Sequence, residues 1–554
     1  MFYKFEKALY LILESKLKKL SILLLTAIVL VASVLLIPYE LVLAKMLPGK
    51  NSDTFNIYID LPNGSSISQT KIVSQCVIDE LQKEREITDL ELFLGMGSPL
   101  DFAGLIKGSH YKNSENVSEI VVNLKNKHHR EEPSYLMVQR IRPQILEKCE
   151  AIFKNTTLKF VEPPAGPPTM GAVVAEIYGS SENGIRGLAE RVKDVFKNTS
   201  GLVDIDIMQD EIFEKVEISI DTLKIARSGL DIKQINDILY LNFEGMNIAV
   251  KNSKSYDDQT NIFLTLQKED KIFKSTDLKE IELKLAGVKL MNSSGMMVPI
   301  SEVIHVRKVL SNPMIVTKNL HLMTNVLAET DMVSQVYPLI EARSKIIETF
   351  GDQYQISEIS LFDLDLVDLK TGELFHLKWD GEMRVTIDTF IDLGSAFIAA
   401  MVLIFLLMVL YYKSYALSSI VLIGSILSII GVILGHRIMD YFYKDTFFLT
   451  ATSLIGFIAL IGISSRNSLL LIDFAKSLIV EKSMPQKAAI AHATATRAKP
   501  IFLTATAIIL ASTLLASDAV FGGLGVSLIF GTISAVVASL IVVPILLDEV
   551  NLEN

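Results

Sequence analysis

A surplus of positive charge is missing from this chain. Its 53 lysines and arginines face 63 aspartates and glutamates, a net charge of -10 at pH 7, which removes the simplest electrostatic reason to bind DNA or RNA. Charge of either sign is scarce. Only 21% of the residues carry it while 50% are hydrophobic, too apolar for a disordered chain. No glycine-rich phosphate-cradling loop of the Walker type is present, so bound ATP is not the expected energy source. The pair His128-His129 sits beside Arg130 without further ligand-spaced cysteine, histidine or carboxylate, and no metal site is expected there.

The scarcity of charge is uneven. The windows Leu20–Tyr39, Leu393–Tyr412, Ser414–Gly435, Thr446–Ser465, Pro500–Ser517 and Ala519–Leu547 contain no charged residue. About 20 apolar residues cross a bilayer, so the sequence predicts an integral membrane protein with six transmembrane helices: the first at 20–43, the other five at 391–547. Lys16, Lys18 and Lys19 before the first window also fit a signal peptide. The apolar run is longer than the roughly 7 to 15 residues of a signal core, and no clean small-residue cleavage site follows, which favours an uncleaved anchor.

Orientation follows from the lysines. Lys4, Lys7, Lys16, Lys18 and Lys19 precede the first span and place the N-terminus in the cytoplasm. Alternation puts the loop after the fourth span there too, and that loop carries Lys476, Lys482, Lys487, Arg497 and Lys499 against Glu481. Glu40–Asp392 is then expected outside a bacterial inner membrane, in the periplasm, with both termini cytoplasmic. Within residues 1–19, Phe2, Phe5, Leu9 and Ile12 recur at helical spacing and predict an amphipathic helix in the interface.

The outer region alternates strand, turn and helix. Ile57, Ile59 and Leu61 alternate before Pro62-Asn63-Gly64, and Val73, Cys76, Val77 and Leu81 share a helical face; a second copy runs through Val173–Tyr178, Gly179-Ser180-Ser181, and Leu188, Val192, Val195 and Phe196. Alternating strands at Leu202–Ile207 and Val216–Asp221 follow. The pattern predicts small α+β sandwiches of the split, ferredoxin-like kind. Cys76 and Cys149 both fall on apolar helix faces of the first such unit; the compartment permits a disulfide, and buried free thiols are the favoured expectation.

The run Gly462-Ile463-Ser464-Ser465-Arg466-Asn467-Ser468-Leu469-Leu470-Leu471-Ile472-Asp473-Phe474-Ala475-Lys476 resembles the tenth transmembrane helix of resistance-nodulation-division (RND) efflux permeases. Arg497-Ala498-Lys499-Pro500-Ile501-Phe502-Leu503-Thr504 resembles the start of their eleventh helix; Phe521-Gly522-Gly523-Leu524-Gly525 and Val543-Pro544 resemble the twelfth. The Pro163-Pro164-Ala165-Gly166-Pro167-Pro168 linker and Ile218-Ser219-Ile220-Asp221 through Gly229-Leu230 resemble the passage from porter to docking region. The likeness covers the C-terminal half of a fold that normally has two six-helix halves. It implies a first porter lobe at 47–160, a second at 161–214 plus 306–379, and a docking insertion at 215–305. It also implies a proton gradient as energy source without cofactor, a trimeric assembly, a periplasmic adaptor protein and an outer-membrane channel.

Polar groups at membrane depth carry the chemistry, because a charge there is expensive unless paired or hydrated. Arg466 stands among Ser464, Ser465, Asn467 and Ser468, which are expected to face a bundle interior; the bland alternative is an arginine snorkelling at the cytoplasmic edge. Arg497 and Thr504, seven residues apart, share a helix face; Arg497 also reads as a positive-inside residue, and Thr504 as bonding back to its own helix. The resemblance implies that Arg466, Asn467, Arg497 and Thr504 support a proton relay whose titrating aspartate pair lies in an N-terminal half. Arginine stays protonated, so Arg466 is expected to act as a fixed counter-charge, with Asp473 nearer the cytoplasmic edge than the relay. Ser527, Gly531 and Ala535 recur every four residues and permit close helix packing. The expected function is half of a proton-driven exporter of small molecules, not an enzyme. The alternatives are a membrane-anchored export factor of the SecD/SecF type, distinguished by a single outer domain, and an inert half-transporter fragment. Substrate-binding residues are not readable.

Overall fold

The computed structural model describes residues 2–47, 51–99, 102–163, 166, 168–252, 259–267, 277–331, 334–443, 447–518 and 520–552. Pro164, Ala165 and Pro167 of the linker, with Thr446 and Ala519 at the starts of two uncharged windows, fall outside them. The chain divides into two compact units, one of residues 1–208 with 315–554 and one of Gln209–Met314.

Within the larger unit, six helices among the described residues are long and apolar enough to cross a membrane: Lys16–Leu35, Glu382–Tyr412, Tyr415–Phe442, Ala451–Lys482, Gln486–Ala516 and Gly522–Leu547. Several outlast their uncharged windows because helix propensity ignores the bilayer boundary; Lys482 and Gln486, for instance, lie on helical turns beyond the apolar stretch. The third span is interrupted at Leu427 between Tyr415–Ile426 and Ser428–Tyr443. The sixth widens into a π-turn at Ala538–Val542 just before Pro544. Proline offers no N–H and crowds the carbonyl four residues back, at Leu540, so the helix relieves the clash by adding a residue to the turn.

Ser15 breaks the N-terminal helix Phe2–Glu14 from the first span and caps the latter through the Lys18 N–H. Leu9 and Leu13 of the short helix are buried against Ile479, Ala489, Ile490 and Ala493, and Glu6 meets His492 at 3.0 Å. The Lys19 ammonium, buried, reaches Asp548 at 2.8 Å and also Glu549. The start of the first span is thereby tied to the chain just past the sixth.

Two α/β lobes belong to the same unit. The first is an antiparallel four-stranded sheet in the order Ile87–Met96, Asn113–Leu124, Thr54–Asp60, Thr157–Val161, covered by helices Ile67–Leu81 and Ser134–Cys149. Alternation in Thr54–Asp60 sends Phe55, Ile57 and Ile59 into a core with Val73, Val77, Ile120, Met137 and Phe160. Cys76 and Cys149 are joined by a disulfide that bolts the two helices together. This corrects the expectation of free thiols: the apolar faces carrying the two cysteines pack against each other, leaving their Cα atoms 5.8 Å apart, within disulfide reach. The second lobe is a seven-stranded sheet, with Val173–Tyr178 between His321–Thr330 and Leu374–Asp380. Helices Glu182–Lys197 and Val336–Phe350 supply its core, where Phe196 stacks on Trp379 at 6.0 Å.

The smaller unit opens and closes on one antiparallel pair, Glu214–Ile220 with Ile304–Leu310, in which Glu214 faces Leu310 and Ile220 faces Ile304. Asp221 caps the next helix by accepting from the Leu223 and Lys224 N–H groups, and Gly229 ends it at φ 72°, a left-handed conformation that favours glycine. The Asp221 to Gly229 spacing noted in the sequence is thus one capped helix. Ile225, Leu230, Ile235, Ile281, Leu285 and Ile300 form the core.

Candidate functional site

The fourth span separates its polar residues by face. Ser464, Ser465, Asn467 and Ser468 are 0%, 7%, 4% and 0% exposed, packed among the third and sixth spans as expected. Arg466 is not with them. It lies on an exposed stripe with Ile455, Ala459, Gly462 and Leu470, positions three or four apart and therefore on one face. This corrects the expectation that the whole cluster shares the bundle interior: a 100° step per residue turns Arg466 away from its serine and asparagine neighbours. No hydrogen bond or ion pair joins Arg466 to another described residue.

Arg497 is half-buried on the fifth span. Its guanidinium lies over the Phe474 ring of the fourth span, 5.1 Å from the centroid, a cation–π contact, and its buried Nε has no hydrogen-bond partner among the described residues. Thr504 is exposed, and its hydroxyl donates to the carbonyls of Pro500 at 3.1 Å and Ile501 at 3.0 Å. Pro500 cannot supply the N–H that a helix expects, and the threonine folds back onto that same turn. Asp473 accepts from the Tyr412 hydroxyl at 3.0 Å and the Tyr411 hydroxyl at 3.2 Å, both at the end of the second span. The acid seven residues on from Arg466 along the same helix is therefore held by tyrosines, and no ion pair joins it to either arginine among the described residues.

Charge is handled differently between the lobes, and the sequence reading missed it. Three cations of the first lobe meet acids of the second: Arg142 with Asp204 at 3.2 Å and Asp331 at 3.3 Å, Lys159 with Asp206, and Lys107 with Glu329. Lys159 also reaches Asp60 of its own lobe at 3.4 Å. Burial pushes the Asp204 carboxyl up to about 6 against the pull of Arg142, and burial pushes Glu162 up to about 7. The available signal was the pair Asp204 and Asp206, two residues apart on a strand and so on one face.

A bundle of helices long and apolar enough to cross a membrane, joined to two α/β lobes in one unit and accompanied by a smaller compact unit, is the build of a membrane protein. Residues 1–550 match the model of the AcrB/AcrD/AcrF family; the chain belongs to this family of RND permeases. It is 25% identical over 382 residues to the swarming motility protein SwrC of Bacillus subtilis, covering 67% of this chain and 32% of that protein. It is 28% identical over 149 residues to the multidrug export protein AcrF of Escherichia coli, covering 26% of this chain and 14% of that protein. Crystal structures of a heavy metal efflux pump superpose on 98% of this chain and 51% of the pump, with TM-score 0.73 and 17% identity in one form and 0.72 and 17% in another, a likeness of fold. The chain thus spans about a third of SwrC and about half of the pump.

Proposed function

We propose that this chain is the C-terminal-type half of a proton-motive-force-driven RND permease that exports small molecules across a bacterial inner membrane. The observation that carries this reading is Arg466: a permanent charge on an exposed, otherwise apolar helix face, where hydrocarbon would be a poor neighbour. A proton carrier must change its charge near working pH, and neither Arg466, Arg497 nor Thr504 does so. The titrating carboxylates then come from an N-terminal-type half with an intramembrane aspartate pair, on the same or another polypeptide, packed over the Arg466 face. Arg466 lowers the pKa of such a carboxylate by favouring its charged form; Arg497, braced by Phe474, and Thr504 extend the same surface, with Asn467 behind it.

In this reading the two lobes are porter lobes of ferredoxin-like build and Gln209–Met314 holds the docking insertion. The domain is periplasmic, the termini are cytoplasmic, and the assembly is a trimer working with an adaptor protein and an outer-membrane channel. Carboxylate protonation biases rocking of the lobes. Reconstitution into vesicles with an imposed pH gradient tests it: export is expected only with both halves present, lost in Arg466→Ala and partly kept in Arg466→Lys. Proton-coupled export by these 554 residues alone, or full activity of Arg466→Ala, overturns it.

A further inference from the structure

The two lobes touch along a sheet edge without joining their sheets. Thr157–Val161 is the outer strand of the first sheet, and an outer strand leaves N–H groups without a ladder partner. Carboxylates take them instead: the Leu158 N–H donates to Glu150 of its own lobe at 2.9 Å, and the Phe160 N–H donates to Asp204 of the second lobe at 3.2 Å. Asp204 reaches across because the strand Leu202–Ile207 bulges there. Leu327 pairs with Asp206 and Glu329 with Val203, so Asp204 and Ile205 together face the single Ala328. Asp204 sits at φ 52°, in the left-handed region that aspartate and asparagine enter more readily than other side chains do. A bulge bends an edge and re-aims a side chain; here it turns an aspartate onto the neighbouring lobe.

The charges gathered at this boundary do not balance. Lys112 and Lys159 are matched by Asp60 and Asp206. Beside them, Glu162, Asp204, Glu329, Asp331 and Glu382 share Lys45, Lys107 and Arg142. Five acids meet three cations. Glu162 follows directly on the edge strand, within the field of Arg142, Lys45, Glu329 and Asp331. Its Oε1 is buried and accepts no hydrogen bond among the described residues, and the buried Arg142 Nε donates none. Asp204 feels Arg142, Lys159 and Glu329; Arg142 Nη2 and the Phe160 N–H both end on its Oδ2, which leaves Oδ1 free to carry a proton. Surplus negative charge shut away from water is costly, and among the described residues no set of His, Cys, Asp and Glu is spaced to hold a metal ion. Protons are the remaining compensation.

We propose that the lobe boundary is a proton-operated latch: Glu162 and Asp204 take up protons from the compartment around the lobes as the lobes close, and give them up as the lobes part. Protonated Asp204 still accepts from Phe160 and Arg142 through Oδ2, and protonated Glu162 is no longer an unpartnered charge. The direction follows from linkage. Burial raises Glu162 to about 7 and Asp204 to about 6 in the closed boundary, whereas carboxyls in water titrate near 4. The closed state therefore has its full advantage below about pH 4 and loses it as pH rises through 6 and 7. The latch goes beyond the export reading and does not rest on it, since it needs neither Arg466 nor a second half.

The test is a distance measurement across the boundary. Cys76 and Cys149 are paired and no free cysteine remains, so nitroxides can be placed at Tyr111→Cys on the first lobe and Leu369→Cys on the second, 74% and 60% exposed. Double electron–electron resonance on the full chain in lipid vesicles, with equal pH on both sides, is expected to show two populations. Their ratio should move by at least about tenfold toward the open one between pH 5 and pH 8. Glu162→Gln should weaken that dependence. Glu162→Gln with Asp204→Asn, an asparagine that tolerates the left-handed φ, should stay closed at both values and so define the closed distance. One unchanged distribution in the parent at pH 5 and pH 8 overturns the latch, whatever becomes of the variants; so does opening at pH 5, or a shift that persists in the double variant. No gradient, substrate or second half enters the measurement, so its failure and the failure of proton-coupled export are read separately.

Discussion

Buried cations between the lobes and the exposed Arg466 of the fourth span obey opposite rules. Arg142, 9% exposed, finds two acids across the lobe boundary; Arg466 finds none among the described residues and lies open on its helix. A protein tolerates a desolvated charge only with compensation; the cations at the lobe boundary have theirs, whereas Arg466 avoids the need by staying exposed. Burial of the spans agrees: the third, fourth and sixth bury 61%, 56% and 61% of their most apolar stretch, the first, second and fifth only 11%, 6% and 22%.

The sharpest way to break this contrast is to remove a charge on each side. Arg142→Ala strands Asp204 and is expected to destabilise the lobes by about 3 kcal/mol at pH 8, and by less at pH 5, where the orphaned carboxyl takes up a proton. Trp379, the one tryptophan of the chain and stacked on Phe196, reports the loss through its fluorescence in urea. A change below about 0.5 kcal/mol would place Arg142 outside the set of interactions that hold the lobes together. The double variant Cys76→Ser with Cys149→Ser opens a loop of 73 residues' separation and is expected to cost about 2–4 kcal/mol; the same titration in urea measures it, and reducing agent should reproduce it in the parent.

A smaller effect comes from pH. Asp204 at about 6 and Glu162 at about 7 hold their protons longer folded than unfolded, where carboxylates titrate near 4. Their contribution to stability is therefore full below about pH 4 and is lost as pH rises through 6 and 7. Glu162→Gln should raise stability at pH 8, where the buried carboxyl has lost its proton, and leave it unchanged at pH 4; equal melting temperatures at pH 8 would remove Glu162 as a source of this slope. The smallest effect is expected at Arg466: Arg466→Ala should change the unfolding midpoint of the isolated chain by less than about 0.5 kcal/mol. A loss above 2 kcal/mol would mean that Arg466 has a structural partner within this chain.

The spans were legible because a bilayer demands a long uncharged run, and such runs are counted directly. Their ends were not, since Ala451–Lys482 and Gln486–Ala516 continue as helix past Asp473 and before Pro500, where charge marks the membrane and not the helix. The strands at Thr54–Asp60 and Val173–Tyr178 were legible as strands, but alternation did not tell that both of their faces are buried. Pairing across sequence distance was less readable: nothing local says that Arg142 reaches Asp204, or that the faces of Cys76 and Cys149 meet. On the fourth span, composition marked the polar turn, but only the packing of three helices shows that Asn467 and Arg466 point apart.

The strand pair at Glu214–Ile220 and Ile304–Leu310 makes the smaller unit a detachable cassette. Because Glu214 and Leu310 are cross-strand partners, about 5 Å apart, everything between them begins and ends at one doorway. Excising the cassette would leave two ends that a two-residue hairpin turn could join, and substituting another would require only that its ends lie equally close. Recombination could thus lengthen, shorten or replace this unit without disturbing a hydrogen bond of the seven-stranded sheet. Such a doorway is also where a fluorescent or affinity module could be grafted by an engineer.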